Sequence, residues 1–234
     1  PGAVRICGAA ALRTGAGAVT IATHPTHSGV VPASRPELMC SGITGASDLE
    51  PLLANADVVA IGPGLGMDDW SRGLFAAATA SGRPLVVDAD GLNILASDPR
   101  VCERAVLTPH PGEAARLLGR TTTEIQADRP GALLELAEKY GCTVVLKGAG
   151  SLVSSASGIP WLCCAGNPGM AAPGMGDALT GVIVALLAQG LSAEMAAVVG
   201  VQIHAAAGDA AAGRGERGLV ASDLVEEIRA RVNQ

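Results

Sequence analysis

Residues 166–181 read GNPGMAAPGMGDALTG. This stretch holds five glycines, two prolines and a single acid, Asp177, and it leads directly into the apolar segment 182–187, which reads VIVALL. A glycine-rich stretch followed by an apolar segment predicts a loop that turns into a buried helix. Asp177 could simply cap that helix, because a carboxylate accepts hydrogen bonds from the free N–H groups of a first turn.

The glycines beside Asp177 favour a functional interpretation over a cap. Gly174 and Gly176 leave the N–H groups of the predicted helix start uncovered, and such groups, together with the helix dipole, form an anion hole for phosphate. A carboxylate next to an anion hole can deprotonate a hydroxyl while its oxygen attacks a phosphoryl group. We therefore predict that Asp177 is a catalytic residue in phosphate chemistry.

Elsewhere, short runs rich in Val and Ile alternate with longer segments rich in Ala and Leu. The runs predict strands, of which the last two form a hairpin, at residues 17–23, 57–61, 84–88, 105–107, 143–147, 151–154 and 159–164. The longer segments predict helices at 3–15, 47–55, 69–81, 91–97, 112–119, 130–140, 175–189, 192–212 and 222–232. This alternation predicts an α/β fold with a mainly parallel sheet and helices on both faces. We expect residues 1–234 to form one domain, because no linker or repeat interrupts them.

The composition argues against several classes of partner. The chain has a net charge of −6 and only 2% aromatic residues, whereas a nucleic-acid surface needs cationic patches or stacking rings. No apolar run approaches the roughly 20 residues of a membrane span, so we expect no membrane segment. The six cysteines lack zinc-ligand spacing, and His24 and His27 have no third ligand near them, so we predict no metal site at these cysteines and histidines. Such thiols are typical of a cytoplasmic protein.

Ligands of such sheets bind beyond the carboxyl ends of the strands, so the loops that follow strands matter most. Residues 62–66, GPGLG, fail as a dinucleotide fingerprint, because Met67 stands where the third glycine is required. They form either a tight turn or a surface that a ligand approaches closely. In the loop 88–93, DADGLN, strand alternation points Asp88 and Asp90 to the same side. Asp90 could cap the next helix, or both acids could hold Mg²⁺ or contact hydroxyls.

Two further loops carry ionisable side chains. In residues 108–113, TPHPGE, two prolines aim His110, which has either a structural or a functional role, and Glu113 could complement a helix dipole. In residues 147–151, KGAGS, Lys147 is either a solvated turn residue or part of an anion or nucleotide site, where it faces phosphate.

Taken together, these motifs resemble a known family. The G-x-G-D sequence that opens a C-terminal helix resembles the ribokinase-like superfamily. Five ordered segments, IGPGLG, VVDADGLNIL, LTPHPGEAARLLG, VLKGAG and GNPGMAAPGMGDALTG, resemble the ADP-dependent NAD(P)H-hydrate dehydratases more narrowly. The similarity covers nearly the whole chain and implies a three-layer ribokinase-like sandwich.

The resemblance also implies an activity, which is repair of (S)-hydrated NADH or NADPH by dehydration, a carbon–oxygen lyase reaction. ADP, or ATP, serves as co-substrate with Mg²⁺, and the substrate hydroxyl is phosphorylated before phosphate is eliminated. The resemblance further implies a cytoplasmic homotetramer. Because the family also occurs as one half of a bifunctional protein, it implies fusion or association with an NAD(P)H-hydrate epimerase.

Residue roles follow by matching motif positions. Asp177 matches the catalytic acid and also contacts substrate. The nucleotide contacts implied by the matches and by the anion hole are Lys147, Gly148, Ala149, Gly150, Ser151, Gly174 and Gly176. The substrate contacts implied are Ala3, Gly66, His110 and Asn167.

The chain departs from the family pattern at two places. Ala172-Pro173 stands where the family has Ser or Thr followed by Gly or Ala, which removes a hydroxyl and stiffens the approach to the anion hole. The family also begins with an additional strand and glycine-rich turn before the segment that starts at Pro1, so we expect the sheet to lack its first strand. Two alternatives stay open: a superfamily kinase acting on a hydroxymethylpyrimidine, thiazole or sugar, and a non-catalytic nucleotide-binding subunit.

Overall fold

Eight strands form two sheets in the computed structural model, which describes residues 1–156 and 158–234, without the side chain of Ser34. The strands are β1 Thr20–Thr23, β2 Met39–Gly42, β3 Val59–Ile61, β4 Leu85–Val87, β5 Ala105–Leu107, β6 Thr143–Leu146, β7 Ser151–Ser154 and β8 Trp161–Cys163. The central sheet has the order β3-β4-β5-β6-β7-β8, and β1 pairs with β2 in a separate sheet. Strands β3 to β6 are parallel, and β7 and β8 are antiparallel to their neighbours.

Helices fill the segments between and after the strands. They are α1 Gly2–Thr14, α2 Pro25–Ser28, α3 Ala46–Asn55, α4 Asp69–Ala80, α5 Asp90–Ser97, α6 Pro111–Leu118, α7 Thr122–Ala127, α8 Arg129–Tyr140, α9 Met175–Ala188, α10 Ala193–Ala211 and α11 Ala221–Arg231. Short 3₁₀ turns lie at Pro32–Ser34, Pro168–Met170 and Ala212–Arg214.

Successive residues of the central strands enter two different cores. Val87 and Leu107 lie in the core with helices α4, α5, α6 and α8, whereas their neighbours Val86 and Val106 lie in the core with α1, α9, α10 and α11. All four side chains are fully buried. Burial of one such side chain stabilises a fold by roughly 1.5–3 kcal/mol, so both faces need a helical layer. The predicted three-layer α/β sandwich is confirmed.

The structure contains three elements that the sequence pattern did not predict. Strand β2 reads MCSG, without the β-branched residues that mark strands, and it forms because it pairs in parallel with β1. Helices α2 and α7 are too short to show helical periodicity. The start of α7 had a readable signal, because Thr121 and Glu124 form a capping box. The predicted hairpin is present as β7 and β8, and Ser157 in its loop lies outside the described residues.

One helix corrects the expectation about membrane-length segments. Within the described residues, Ala193–Arg214 is long and apolar enough, by length and composition, to cross a membrane. An unbroken apolar run does not reveal it, because Gln202, His204 and Asp209 interrupt the segment. The helix packs on α9, α11 and strands β6 to β8, which is the position of a core helix in a globular fold.

Candidate functional site

The site centres on the first turn of α9, which begins after a left-handed glycine. Gly174 is the N-cap residue, with φ 89° and ψ −12°, and no side chain caps the helix. The positive φ favours glycine, and a Cβ at this position would also lie 2.8 Å from Ile6 Cδ1 of α1. Asp177 is the third helical residue and is not the cap. Met175 N donates to Ala172 O at 3.4 Å. Among the described residues, the N–H groups of Gly176 and Asp177 have no hydrogen-bond partner, so this part of the turn can serve as an anion hole.

The surroundings of Asp177 suit it to accept a proton near neutral pH. Burial raises the pKa of its carboxyl group to about 6, and the negative charges of Asp88, Asp90 and Glu113 add to the increase, whereas Lys147 opposes it. The buried thiol of Cys7 in α1 lies near Asp177. Burial raises the pKa of this thiol most, and the negative charge of Asp177 raises it further. A base with a pKa near the working pH transfers protons efficiently.

Lys147 lies directly over this turn and is already paired. Its Nζ donates to Asp88 Oδ1 at 2.6 Å and lies 3.7 Å from Glu113 Oε2. A Cβ at Gly176 would approach Nζ to 3.1 Å. The interpretation of Lys147 as a solvated turn residue is wrong, because most of its side chain is buried. It is held by carboxylates beside the helix start.

The loop 147–151 depends on an arginine that sequence reasoning missed. Arg129 Nη2 donates to Gly150 O at 2.9 Å and to Leu146 O at 3.3 Å. A Cβ at Gly148, where φ is 147°, would lie 2.5 Å from Arg129 Nη1. Burial lowers the pKa of Arg129. No linear signal connects Arg129 to this loop, since the segment ADRPGA reads only as a helix start. Within the loop, Ser151 Oγ donates to Gly148 O and accepts from Gly148 N.

The loop 62–66 is held against the turn that follows β4. A Cβ at Gly62 would lie 1.7 Å from Asp88 O, so the two backbones touch. Asp90 Oδ2 accepts from Gly66 N at 2.8 Å. Of the alternatives left open for Asp90, the cap of α5 is wrong, because Ala89 is the N-cap residue and the Asp90 side chain accepts a hydrogen bond from the other loop. Ala3 of α1 flanks Gly64, because a Cβ added at Gly64 would lie 3.3 Å from the Cβ of Ala3.

Asp88 and Asp90 do not form the metal pair that the sequence left open. Asp88 is bonded to Lys147 and Thr180, and Asp90 is bonded to Gly66 N. No group of three or more His, Cys, Asp or Glu residues in the described part of the chain is arranged to hold a metal ion.

His110 has a structural role as the N-cap of α6. Its Nδ1 accepts from Gly112 N at 3.0 Å and from Glu113 N at 3.2 Å, while Glu113 Oε2 accepts from His110 N at 2.8 Å. An accepting Nδ1 places the proton of the neutral ring on Nε2. Burial lowers the pKa of His110, which favours this neutral form. The side chain is 50% exposed, so it also presents a surface to a ligand.

Asn167 is tied to α10 by an acid that was not predicted. Asp209 accepts from Asn167 Nδ2 at 2.9 Å and from Gly166 N at 3.0 Å. Asn167 Oδ1 is buried without a hydrogen-bond partner. Met170 anchors the same loop, because a Cβ at Gly208 would lie 2.3 Å from its Sδ. The contacts observed for Asn167 are therefore those of a loop anchor.

The loops that follow β3 to β6 and the start of α9 lie together at the carboxyl edge of the central sheet, and the space that they border is called the cleft. A pocket of about 580 Å³ lies elsewhere, at the opposite end of α9, where Leu186 and Gln189 line it. That end is roughly 18 Å from Asp177 along the helix. A pocket of about 320 Å³ is lined by Leu85 and Ala105, at the amino ends of β4 and β5. Neither is lined by Asp177 or Lys147.

Comparison with curated proteins gives the family. The family described as NAD(P)H-hydrate dehydratase matches residues 1–230. The bifunctional NAD(P)H-hydrate repair enzyme Nnr of Coxiella burnetii is 52% identical over 233 residues, which are 99% of this chain and 48% of that protein. The ADP-dependent (S)-NAD(P)H-hydrate dehydratase of Neisseria meningitidis is 38% identical over 236 residues, which cover 97% of this chain and 78% of that protein.

Solved structures agree with this family. The ADP/ATP-dependent NAD(P)H-hydrate dehydratase of Bacillus subtilis, co-crystallised with ATP and Mg²⁺, superposes with a TM-score of 0.86 at 27% identity, over 99% of this chain and 84% of that one. The fold is ribokinase-like. The chain spans about half the length of the bifunctional relatives, as the 48% coverage of the Coxiella protein shows. The chain belongs to the NAD(P)H-hydrate dehydratase family.

Proposed function

We propose that this chain catalyses the nucleotide-dependent dehydration of (S)-hydrated NADH or NADPH and returns the intact cofactor. The observation that carries the proposal is the juxtaposition of Asp177, whose pKa is raised to about 6, with an uncapped helix start and the ammonium of Lys147. The names of the Neisseria and Coxiella relatives supply the substrate.

The arrangement suits phosphoryl transfer followed by elimination. The N–H groups at Gly174 and Gly176 and the loop from Lys147 to Ser151 bind the phosphates of ADP or ATP. Asp177 accepts the proton of the substrate hydroxyl. The hydroxyl oxygen bonds to the terminal phosphorus as the bond from that phosphorus to the rest of the nucleotide breaks. Inorganic phosphate then leaves with the C–O bonding pair, and loss of a proton from the adjacent carbon forms the double bond.

The residues present also fit Mg²⁺ as a companion of the nucleotide. The Bacillus relative was crystallised with ATP and Mg²⁺. Because the described residues hold no three-ligand protein cage, Mg²⁺ would be held mainly by the phosphates of the nucleotide and by water, and it would supply neutralisation of phosphate charge.

The substrate lies on the opposite wall of the cleft. Ala3, which flanks Gly64, and Gly66 carry no large side chains, which lets the ring approach the backbone of the loop 62–66. His110 presents its half-exposed imidazole to the substrate. Asn167 orders the loop that leads to Gly174. The departure at Ala172 is compatible with this site, because the alanine packs against the core that surrounds α9.

A direct assay tests this function. The purified chain is incubated with hydrated NADH and either ADP or ATP, and the NADH absorbance is followed. We expect recovery of absorbance that requires both nucleotide and Mg²⁺. No recovery, together with phosphorylation of a hydroxymethylpyrimidine, thiazole or sugar, would establish the kinase alternative. Nucleotide binding without turnover of any substrate would establish the non-catalytic subunit.

The proposal extends to the assembly and location of the protein. The bifunctional relatives favour fusion or association with an NAD(P)H-hydrate epimerase, and the family resemblance favours a cytoplasmic homotetramer. The edge strand β8 exposes Trp161 and Leu162, which supplies apolar surface for contact between copies. Light scattering on the eluting peak of a size-exclusion column measures the mass, and a monomer would contradict the tetramer.

A further inference from the structure

Asp88 is a buried carboxylate to which the proposed chemistry assigns no role. Its exposed fraction is only 1%. Oδ1 accepts from Lys147 Nζ at 2.6 Å and Oδ2 accepts from Thr180 Oγ1 at 2.9 Å. A carboxylate taken out of water is costly unless both oxygens are bonded, and here both are. The geometry around Asp88 is therefore fixed from two sides.

Through these two partners, Asp88 is connected to Lys147 and to the first turn of α9, which together form the anion site. Lys147 follows β6, and its Nζ lies against Gly176. Thr180 is one helical turn beyond Asp177 on α9, so its hydroxyl ties the reactive turn to the same carboxylate. Without Asp88, the carboxylate that would stay near Lys147 is that of Glu113, whose Oε2 is 3.7 Å away. Asp88 thus determines where the ammonium stands relative to Asp177.

The backbone that presents Asp88 is strained. Ala89 has φ 48° and ψ −118° and is the only residue other than glycine with positive φ among those described. Gly91 N donates to Asp88 O at 3.0 Å, so residues 88–91 form a β-turn with Ala89 in the first central position of type II′, which normally requires glycine. Such a conformation costs about 1–3 kcal/mol and persists only where the surroundings enforce it.

The turn directs its two acids to different partners. Asp88 bonds to Lys147 and Thr180 on the nucleotide side, and Asp90 Oδ2 bonds to Gly66 N on the substrate side. Asp88 O also contacts the backbone at Gly62. The strained residue between the two acids therefore connects the two walls of the cleft.

We propose that the turn 88–91 is a positioning device that couples the two walls: Asp88 sets Lys147 over the open start of α9, and Asp90 sets the loop 62–66. The assignment of the two walls rests on the proposed function. Neither acid touches reacting atoms, so both are positioning residues.

A pH dependence follows from the same geometry. The charged groups that face Asp177 are Asp88 after β4, Lys147 after β6, Asp90 on α5 and Glu113 on α6, and buried Cys7 of α1 lies beside them. Asp88 contributes to the raised pKa of Asp177, second to burial, while Lys147 opposes it. Removal of the Asp88 charge therefore lowers that pKa and moves the acid limb of the pH–rate profile to lower pH.

The test compares Asp88→Asn with Asp98→Asn in the intact chain. Asp98 is an exposed acid at the end of α5 that pairs with Arg100, so it serves as a matched loss of charge outside the cleft. Calorimetry measures ADP binding, and kinetics measure kcat, KM and their pH dependence. For Asp88→Asn we expect about tenfold weaker ADP binding, because the lost contact is charge-assisted, and an acid limb at lower pH. Asp98→Asn should match the wild type.

Asp90→Ala tests the other arm of the turn. We expect KM for the hydrated cofactor to rise about tenfold while ADP binding stays unchanged, because only the Gly66 contact is lost. Equal effects of Asp88→Asn and Asp90→Ala on both ligands would overturn the division into two walls. Wild-type ADP binding and an unchanged pH profile in Asp88→Asn would overturn the positioning role.

Two cases need a separate measurement: an Asp88→Asn variant that does not fold, and a wild type that does not act on hydrated NADH. If Asp88→Asn fails to fold, Thr180→Val and Thr180→Ser replace it: loss of the hydroxyl bond to Asp88 should weaken ADP binding, and the retained hydroxyl of serine should restore it. Equal ADP affinities for these two variants would reject the network. If the wild type does not act on hydrated NADH, the proposed function fails, but the ADP-binding comparison still decides whether Asp88 positions Lys147.

Discussion

At the scale of single residues, Asp177 decides what the cleft can do. It stands in the first turn of α9 without serving as its cap, and burial together with three neighbouring acids raises its pKa to about 6. An acid held in this way is a better proton acceptor near neutral pH than an exposed aspartate, and it costs folding free energy when it ionises. Function and stability are therefore opposed at this residue.

Asp177→Asn should separate the two effects. We expect kcat to fall at least 100-fold, because general-base catalysis contributes roughly 10²–10⁴-fold, while calorimetry shows ADP binding retained. The wild-type rate should rise with pH through about 6, as the carboxyl group ionises. Activity near the wild-type level in Asp177→Asn would show that the acid is structural only.

The stability of the same variant should change with the opposite sign. The folded-state pKa of Asp177 is raised from 3.8 to about 6, so between these values the folded state binds more protons than the unfolded state. The wild type therefore loses stability as pH rises through this window. At pH 7, Asp177→Asn should unfold with a free energy about 1–2 kcal/mol larger, which allows for partial solvent screening. Urea titrations at pH 4 and 7 measure this difference, which should shrink to a small fraction at pH 4, close to the unfolded-state pKa of 3.8.

At the scale of elements, close contacts between backbones bring the loops together. Helix α1 packs on α9 so tightly that a Cβ at Gly181 would lie 2.1 Å from Cys7 O. The same contact brings Ala3 towards the loop 62–66 and Cys7 towards Asp177. The helix layer thus sets the geometry of the cleft as well as the core.

Gly181→Ala should be strongly destabilising for this reason. The methyl group would force α1 and α9 apart, and overpacking of this kind costs about 1–3 kcal/mol or more. Gly73→Ala in α4 is the matched control, because a Cβ there meets nothing within 4 Å. We expect the control to gain up to about 1 kcal/mol from helix propensity. Thermal unfolding of both variants measures the contrast, and similar shifts would contradict the packing argument.

At the turn 88–91, a glycine substitution is expected to increase the stability of the protein. Ala89→Gly relieves the positive φ of 48°. The gain exceeds the entropy that glycine loses on folding, so we expect about 1 kcal/mol of added stability in urea titrations. A matched substitution, Ala96→Gly within α5, should instead destabilise the protein. Lower stability of Ala89→Gly would show that the turn is not strained.

At the scale of the whole molecule, parallel strands gather loops that are distant in sequence. Asp88 and Lys147 are 59 residues apart, and Asp88 and Thr180 are 92 apart, yet both pairs are hydrogen-bonded. The carboxyl ends of β4 and β6 lie on the same edge of the sheet, which explains the first pair. The packing of α9 on the strands supplies the second.

The sequence by itself determined the strands of the central sheet, the layers and the loops of the cleft. Strands that are buried on both faces consist of continuous apolar residues, as in 84–88 and 143–147. Glycine indicates positions where the backbone needs a special conformation or a close approach, as at Gly174 and Gly62. These are local signals, since each depends on the residue and its near neighbours. The same signals placed Asp177 at the start of a buried helix.

Only the tertiary structure decided the partners of the charged groups. No spacing in the sequence shows that Asp88 holds Lys147, that Asp90 bonds to Gly66 or that Arg129 supports the loop 147–151. Asp209 and strand β2 are hidden for the same reason, because their roles exist only through partners brought close by folding. Side-chain type and local pattern are set by the chain, whereas distances between remote charges, and the pKa of Asp177 that depends on them, are set by packing.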